Sequence, residues 1–247
     1  MINKDKAELI LTLSCPDTFG IVAEVASFMS EQGLTIKESN QFGDSETDTF
    51  FMRVKALSIN SGNEIDITKI KNLFNVIAIK RNMIFNIYNT AETPKIIIMV
   101  SKFDHCLMDL LYRSKTKELK VQIVAIISNH NDAQNLAKNY NVPFHCIEVN
   151  KGNKNIAEKS LEKLIHKYDA EAIILARYMQ ILSKEISDKY SGKIINIHHS
   201  FLPSFKGASP YKQAYKRGVK LIGATAHFVT SDLDEGPIIE QDVARVT

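Results

Sequence analysis

Apolar positions run along the chain with two different rhythms, and they divide it near residue 90. From Glu8 to Ser14 apolar and β-branched residues dominate, which predicts a strand. Ile21 to Gln32 puts Ile21, Val25, Phe28 and Met29 on one face at helical spacing. Asp17 or Thr18 can cap that helix after Pro16 and Gly20 punctuate the chain, and Gly33 can stop it. Leu34 to Gln41 and Thr47 to Leu57 read as two strands around a polar turn, Gly43 to Glu46. Ile67 to Asn75 predicts a second helix capped by Asp66, and Asn82 to Tyr88 a closing strand. The order βαββαβ is that of a ferredoxin-like domain. Residues 89–94 are polar, lack apolar periodicity and end in Pro94, so they read as a linker.

Lys95 to Val100 opens the second rhythm with a continuous apolar run, as in a strand buried on both faces. A helix over Cys106 to Arg113, a strand over Leu119 to Ser128 and a helix over Ala133 to Tyr140 follow. Then come a short strand, Phe144 to Ile147, an amphipathic helix, Asn155 to Lys167, and a strand, Ala170 to Ala176. Two further strands run through Ile194, Ile195 and Ile197, and from Ala224 to Val229. Such alternation predicts a doubly wound, mostly parallel α/β sheet over residues 95–247, after a first domain over residues 1–88.

Composition narrows the class. At 247 residues, with 45% hydrophobic and 24% charged residues, the chain reads as an ordinary globular protein with room for two modest domains. A net charge of +3 gives no argument for nucleic-acid or membrane partners. Cys15, Cys106 and Cys146 are far apart, odd in number and without CxxC spacing. That argues against a disulfide framework or a structural zinc and for a reducing, cytoplasmic setting. The N-terminus opens no long apolar run, so no signal peptide is expected, and no stretch approaches a membrane span.

Chemistry concentrates near the C-terminal end. Polar groups are costly at the end of a buried strand, and in open α/β sheets ligands bind outside the strands' carboxyl ends. Asn196 and His198 stand at one such end, and Asp232, Asp234 and Glu235 stand in the loop after the next strand. An amide, an imidazole and a carboxylate form a set suited to attack on a carbonyl. Taken singly, each is more often a satisfied core group or a loop cap. Ser200 lacks a Gly-x-Ser-x-Gly elbow, which argues against a serine hydrolase. His198, His199 and His227 lack zinc spacing such as HExxH. Alternation sends His199 to the face opposite His198, as a structural group, and His227 reads first as a buried, hydrogen-bonded histidine.

Two blocks carry a resemblance: Asn196-Ile-His-His-Ser-Phe-Leu-Pro203 with Gly207, and Gly223, Thr225, His227-Phe-Val-Thr230 with Asp234-Glu-Gly-Pro-Ile-Ile-Glu-Gln241. They are similar to the folate-dependent formyltransferase fold, whose type member is glycinamide ribonucleotide formyltransferase. Cys15-Pro-Asp-Thr-Phe-Gly-Ile-Val-Ala-Glu-Val-Ala26 and Gly33-Leu-Thr-Ile-Lys-Glu-Ser-Asn-Gln41 resemble an ACT domain. Together with Ile127-Ser-Asn-His130 and Ala176-Arg-Tyr-Met-Gln-Ile-Leu-Ser183, nearly the whole chain resembles the formyltetrahydrofolate deformylase family.

That resemblance implies hydrolysis of 10-formyltetrahydrofolate to formate and tetrahydrofolate, supplying formate for purine synthesis and balancing one-carbon pools. It implies no metal and no cofactor beyond the folate substrate. The alternative is transfer of the formyl group to an amine such as glycinamide ribonucleotide. The catalytic residues it implies are Asn196, His198 and Asp234, which respectively face the oxyanion, pass a proton to the leaving nitrogen and orient the attacking water. It implies substrate binding by Arg177, Met179, Ile181, Leu182, His227, Thr230 and Gly207. The ACT likeness implies a homo-oligomer and an amino-acid effector held near Asp17, Gly20 and Asn40. By the same resemblance a C-terminal helical segment would follow Thr247.

Overall fold

The computed structural model describes residues 7–59, 65–204 and 210–246. The chain divides into two compact units, the first ending at Glu92 and the second starting at Thr93.

The first unit runs β1 (Glu8–Pro16), α1 (Ile21–Glu31), β2 (Leu34–Asp44), β3 (Thr49–Ser58), α2 (Ile67–Lys80) and β4 (Ile84–Asn89). Its antiparallel sheet has the order β2-β3-β1-β4. Strand alternation in β1 turns Leu9, Leu11, Leu13 and Cys15 onto the core face, where Val25 and Met29 of α1 and Phe74 of α2 cover them. Phe74 packs edge-on against both Phe28 and Phe85, with ring centroids 5.1 and 4.9 Å away. Asp66 caps α2 by accepting the Lys69 N–H at 2.9 Å, as its position suggests. The helix runs beyond Asn75 to Lys80 because Ala78 still reaches the core.

Neither Asp17 nor Thr18 caps α1. Gly20, at φ 88°, occupies the cap position, and no side chain bonds there. The Thr18 hydroxyl is engaged elsewhere, accepting from the Arg81 guanidinium at 3.1 Å. Gly33, at φ 68°, takes the left-handed turn just beyond α1.

The second unit runs β5 (Lys95–Val100), α3 (His105–Lys115), β6 (Gln122–Ser128), α4 (Gln134–Asn139), β7 (Phe144–Cys146), α5 (Lys154–Tyr168) and β8 (Ala172–Leu175). It continues with α6 (Lys184–Lys189), β9 (Ile194–His198), α7 (Pro210–Lys216), β10 (Leu221–Phe228) and β11 (Ile238–Arg245). The sheet order is β11-β10-β9-β8-β5-β6-β7. Pairing is parallel from β7 across to β9, and β10 and β11 each reverse direction. Ile96, Ile97, Ile98 and Val100 of β5 are all buried, as befits a central strand with helices on both faces. Strand order reverses around β5: the chain first winds out to β7, then returns to place β8 on the other side. Such a switch point opens a crevice at the strands' carboxyl ends.

Three elements escape the apolar pattern. Helices α6 and α7 span 6 and 7 residues, too short to show a helical period. Edge strand β11 is exposed at nearly every position, so it carries no alternation.

Candidate active site

A cleft of about 260 Å³ lies where β8, β9 and the loop after β10 meet. Residues two apart in a strand share a face, so β9 presents Asn196 and His198 together. Strand β10 pairs antiparallel with β9, setting His227 opposite Asn196 and Thr225 opposite His198. The His227 Nδ1 lies 2.9 Å from the Phe228 carbonyl, which requires a proton on Nδ1. Its Nε2 is then the acceptor for the Asn196 amide, 3.2 Å away. One Asn196 N–H is fixed in this way, and among the described residues nothing bonds the second.

Asp234 reaches the same place by a folded-back loop. Strand β10 ends beside the start of β9, where Val229 N–H donates to the Ile194 carbonyl at 2.9 Å. The chain then returns along the sheet, and Asp234 Oδ1 comes within 3.4 Å of His198 Nδ1 and 3.9 Å of His227 Nε2. Both His198 and Asp234 are buried. Asp234 holds a left-handed backbone, φ 58°, which is uncommon outside glycine and concentrates at functional sites. Two contacts close this loop. Phe228 N–H donates to the Pro237 carbonyl at 2.9 Å. Gly236 crosses the Phe228 carbonyl so tightly that a Cβ would lie 1.8 Å from its oxygen.

The opposite wall is the segment after β8. Arg177, Met179, Ile181 and Leu182 line the cleft, as does Thr230 from the loop after β10. Ser101, at the end of β5, holds that segment. Its N–H donates to the Arg177 carbonyl at 3.2 Å and its Oγ accepts the Met179 N–H at 2.9 Å. The same hydroxyl donates to Asn129 Oδ1 at 2.6 Å.

His199 does not follow the alternation. It lines the cleft with its ring 5.6 Å from that of His198, because β9 ends at His198 and the pleat ends with it. Burial pushes its pKa down, and the nearby charge of Arg177 adds to this. Thr225 is a buried hub that the pattern also hid. Its hydroxyl donates to the Ser200 carbonyl at 2.8 Å and accepts from Leu202 N–H and the Gln241 amide, each at 3.1 Å. Gln241 also donates to the Leu202 carbonyl at 2.9 Å. The chain leaving His198 is thereby pinned to β10 and β11.

Gly207 lies outside the described residues. In the first unit Gly20 caps α1, Asp17 lies exposed against Gly43, and Asn40 sits exposed on β2 opposite Arg53. The cleft at the end of that sheet is lined by Ser14, Pro16, Asp48 and Asn82 among others, and includes none of these three. Among the described residues no group of three or more His, Cys, Asp or Glu is placed to hold a metal ion. Among them, no helix is long and apolar enough to cross a membrane.

The fold and this site define a formyltransferase-type domain, and residues 94–247 match the family model described as formyl transferase. The formyltetrahydrofolate deformylase of Corynebacterium sp. (strain P-1) is 45% identical over 96% of this chain and 82% of its own. The crystal structure of a formyltetrahydrofolate deformylase from Pseudomonas syringae pv. tomato superposes with a TM-score of 0.93 at 40% identity, covering 99% of this chain and 81% of that one. A phosphoribosylglycinamide formyltransferase from Anaplasma phagocytophilum matches at 32% identity with a TM-score of 0.58, covering 63% of this chain and 74% of that one. The chain belongs to the formyltetrahydrofolate deformylase family.

Proposed function

We propose that this chain hydrolyses 10-formyltetrahydrofolate to formate and tetrahydrofolate in the cleft at the end of β9. The observation that carries this reading is the convergence of Asn196, His198 and Asp234 from two strands and a loop, with His198 Nδ1 and Asp234 Oδ1 3.4 Å apart. The formyl carbonyl sits against the Asn196 amide, whose free N–H stabilises the oxyanion as water adds. Asp234 orients that water and helps His198 take its proton, and the carboxylate's negative charge stabilises the positive charge that the His198 ring gains. His198 delivers a proton to the folate nitrogen as the carbon–nitrogen bond breaks. His227 acts through Asn196, fixing the amide's orientation. The segment of Arg177, Met179, Ile181 and Leu182, with Thr230 opposite, receives the pterin ring.

The first unit is an ACT-type module in this reading. It binds an amino-acid effector near Asp17, Gly20 and Asn40, and it joins copies of the chain into a homo-oligomer in the cytoplasm. Its βαββαβ order and exposed loop before α1 support that assignment.

Incubation of the protein with 10-formyltetrahydrofolate alone tests the reaction. Formate and tetrahydrofolate should appear in equal amounts with no amine present. Intact substrate after prolonged incubation with folded protein would sink the proposal.

A further inference from the structure

We propose that Arg177, with His199 beside it, forms an anion subsite of the cleft that holds the carboxylate of formate as it leaves the reaction centre. The proposal rests on the hydrolytic reading above.

The first observation is an unmet donor. Arg177 Nε is buried and bonded to nothing among the described residues. A buried guanidinium N–H without an acceptor is costly, and each such group in a folded protein calls for an explanation. The side chain is not loose. Its guanidinium carbon lies 5.3 Å from the centre of the Phe103 ring, a cation–π arrangement. Its backbone is set at φ 62° and tied to Ser101, which is tied in turn to Asn129. A left-handed arginine is strained, and persists where the surroundings enforce it. The fold therefore fixes a cation in the wall of the cleft and leaves one of its buried donors without a partner among the described residues.

The second ground is the product that the hydrolytic reading assigns to the cleft. The water oxygen bonds to the formyl carbon, the carbon–nitrogen bond breaks, and the folate nitrogen takes one proton. The formic acid produced gives up its own proton, so a carboxylate and a proton leave for each bond cleaved. That anion forms beside Asp234, a like charge in a buried place. A carboxylate needs a cation to draw it away, and arginine's planar fork matches it with two parallel N–H bonds. His199 lines the same cleft, and burial together with the Arg177 charge favours its neutral form. It therefore supplies an N–H donor without a second charge.

The test measures inhibition of deformylation by sodium formate and by inorganic phosphate, at constant ionic strength in chloride. Wild type, Arg177→Gln and Arg177→Lys are compared, with circular dichroism as a check on folding. Formate should inhibit wild type, and its inhibition constant should rise at least tenfold in Arg177→Gln and recover in part in Arg177→Lys. Equal constants in wild type and a folded Arg177→Gln would overturn the proposal. So would phosphate inhibiting more strongly than formate, since the subsite would then suit a phosphorylated acceptor. Line broadening of ¹³C-formate by the wild-type protein needs neither turnover nor a variant. Its absence at formate concentrations that saturate inhibition also overturns the subsite. A protein that broadens formate but releases none from 10-formyltetrahydrofolate supports the anion subsite and fails the hydrolytic reading instead.

Discussion

Asp234 shows how much a single residue's chemistry depends on the backbone that carries it. A carboxylate 3.4 Å from His198 is useful only while its loop stays folded back over β9. Asp234→Asn preserves the shape of the side chain and removes the charge. Turnover should fall by on the order of 10²–10⁴-fold while folate binding and thermal midpoint stay close to wild type. Near-normal turnover in the folded variant would remove Asp234 from the chemistry. Gly236→Ala asks the converse, because it leaves the carboxylate and disturbs its support. A Cβ 1.8 Å from the Phe228 oxygen must push backbone apart, costing on the order of 1–3 kcal/mol. Activity should drop at least tenfold with all three polar side chains intact, and unchanged kinetics would mean that the loop has another anchor. That Asn196, His198 and Asp234 meet at one crevice was legible from polar groups at a strand end and in the loop after the next strand, whereas their roles were read only from the family resemblance. The place of His199 was not legible, because where the pleat stops is decided by tertiary packing. Arg177 entered the sequence reading only through the resemblance, as a candidate for substrate binding. Nothing in a string of residues shows an Nε without a partner.

At the scale of elements, the sequence shows what is buried and conceals what is merely attached. Continuous apolar runs disclosed β5 and β9, whereas β11 contributes little to the core and left no trace. The cap of α1 went astray for a similar reason, since Thr18 and Asp17 looked competent and a distant residue claimed one of them. That residue, Arg81, follows α2 and ties three points of the first unit. It bonds Glu24 of α1, the Thr18 hydroxyl at 3.1 Å and the Phe19 carbonyl at 3.2 Å. The Arg81 bond, and then that of Lys80, hold the Glu24 carboxyl below the usual carboxylate range. A carboxyl whose pKa is lower folded than unfolded adds stability above its unfolded value, near 4.3. That share is lost as pH falls through the folded value. Arg81→Ala should therefore cost about 1–2 kcal/mol at neutral pH, summed over its bonds. The difference from wild type should shrink below about pH 4 without vanishing, because the bonds to Thr18 and Phe19 carry no titrating group. Denaturant midpoints of both proteins across pH 3 to 7 measure this, and a constant difference would take the Glu24 charge out of the account.

For the whole molecule, what distinguishes a hydrolase from a transferase of this fold is which nucleophile accepts the formyl group. The turn between β5 and α3 bears on it most directly. A phosphate-bearing acceptor is held best by a turn of small residues opening a helix, where backbone N–H groups can approach the phosphate closely. Here the turn reads Ser101-Lys-Phe-Asp104 and contains no glycine. Phe103 projects from it, more than half exposed, and lies against the Arg177 guanidinium. Asp104 sits at the N-cap of α3, placing a carboxylate at the helix end where a phosphate would otherwise be stabilised. Lys102 and His105 are cationic or basic neighbours that favour an anion, yet without glycine the close approach of a phosphate to backbone N–H groups is hindered. In the proposed reading Asn196, His198 and Asp234 activate the formyl carbonyl, and water is the nucleophile that needs no phosphate cradle. In a steady-state assay, formate release should proceed at one rate with or without glycinamide ribonucleotide at millimolar concentration, and no formylated ribonucleotide should form. Replacing formate by formylated ribonucleotide in equal amount would reverse the assignment, and Phe103 would then have to be read as a gate that an acceptor displaces.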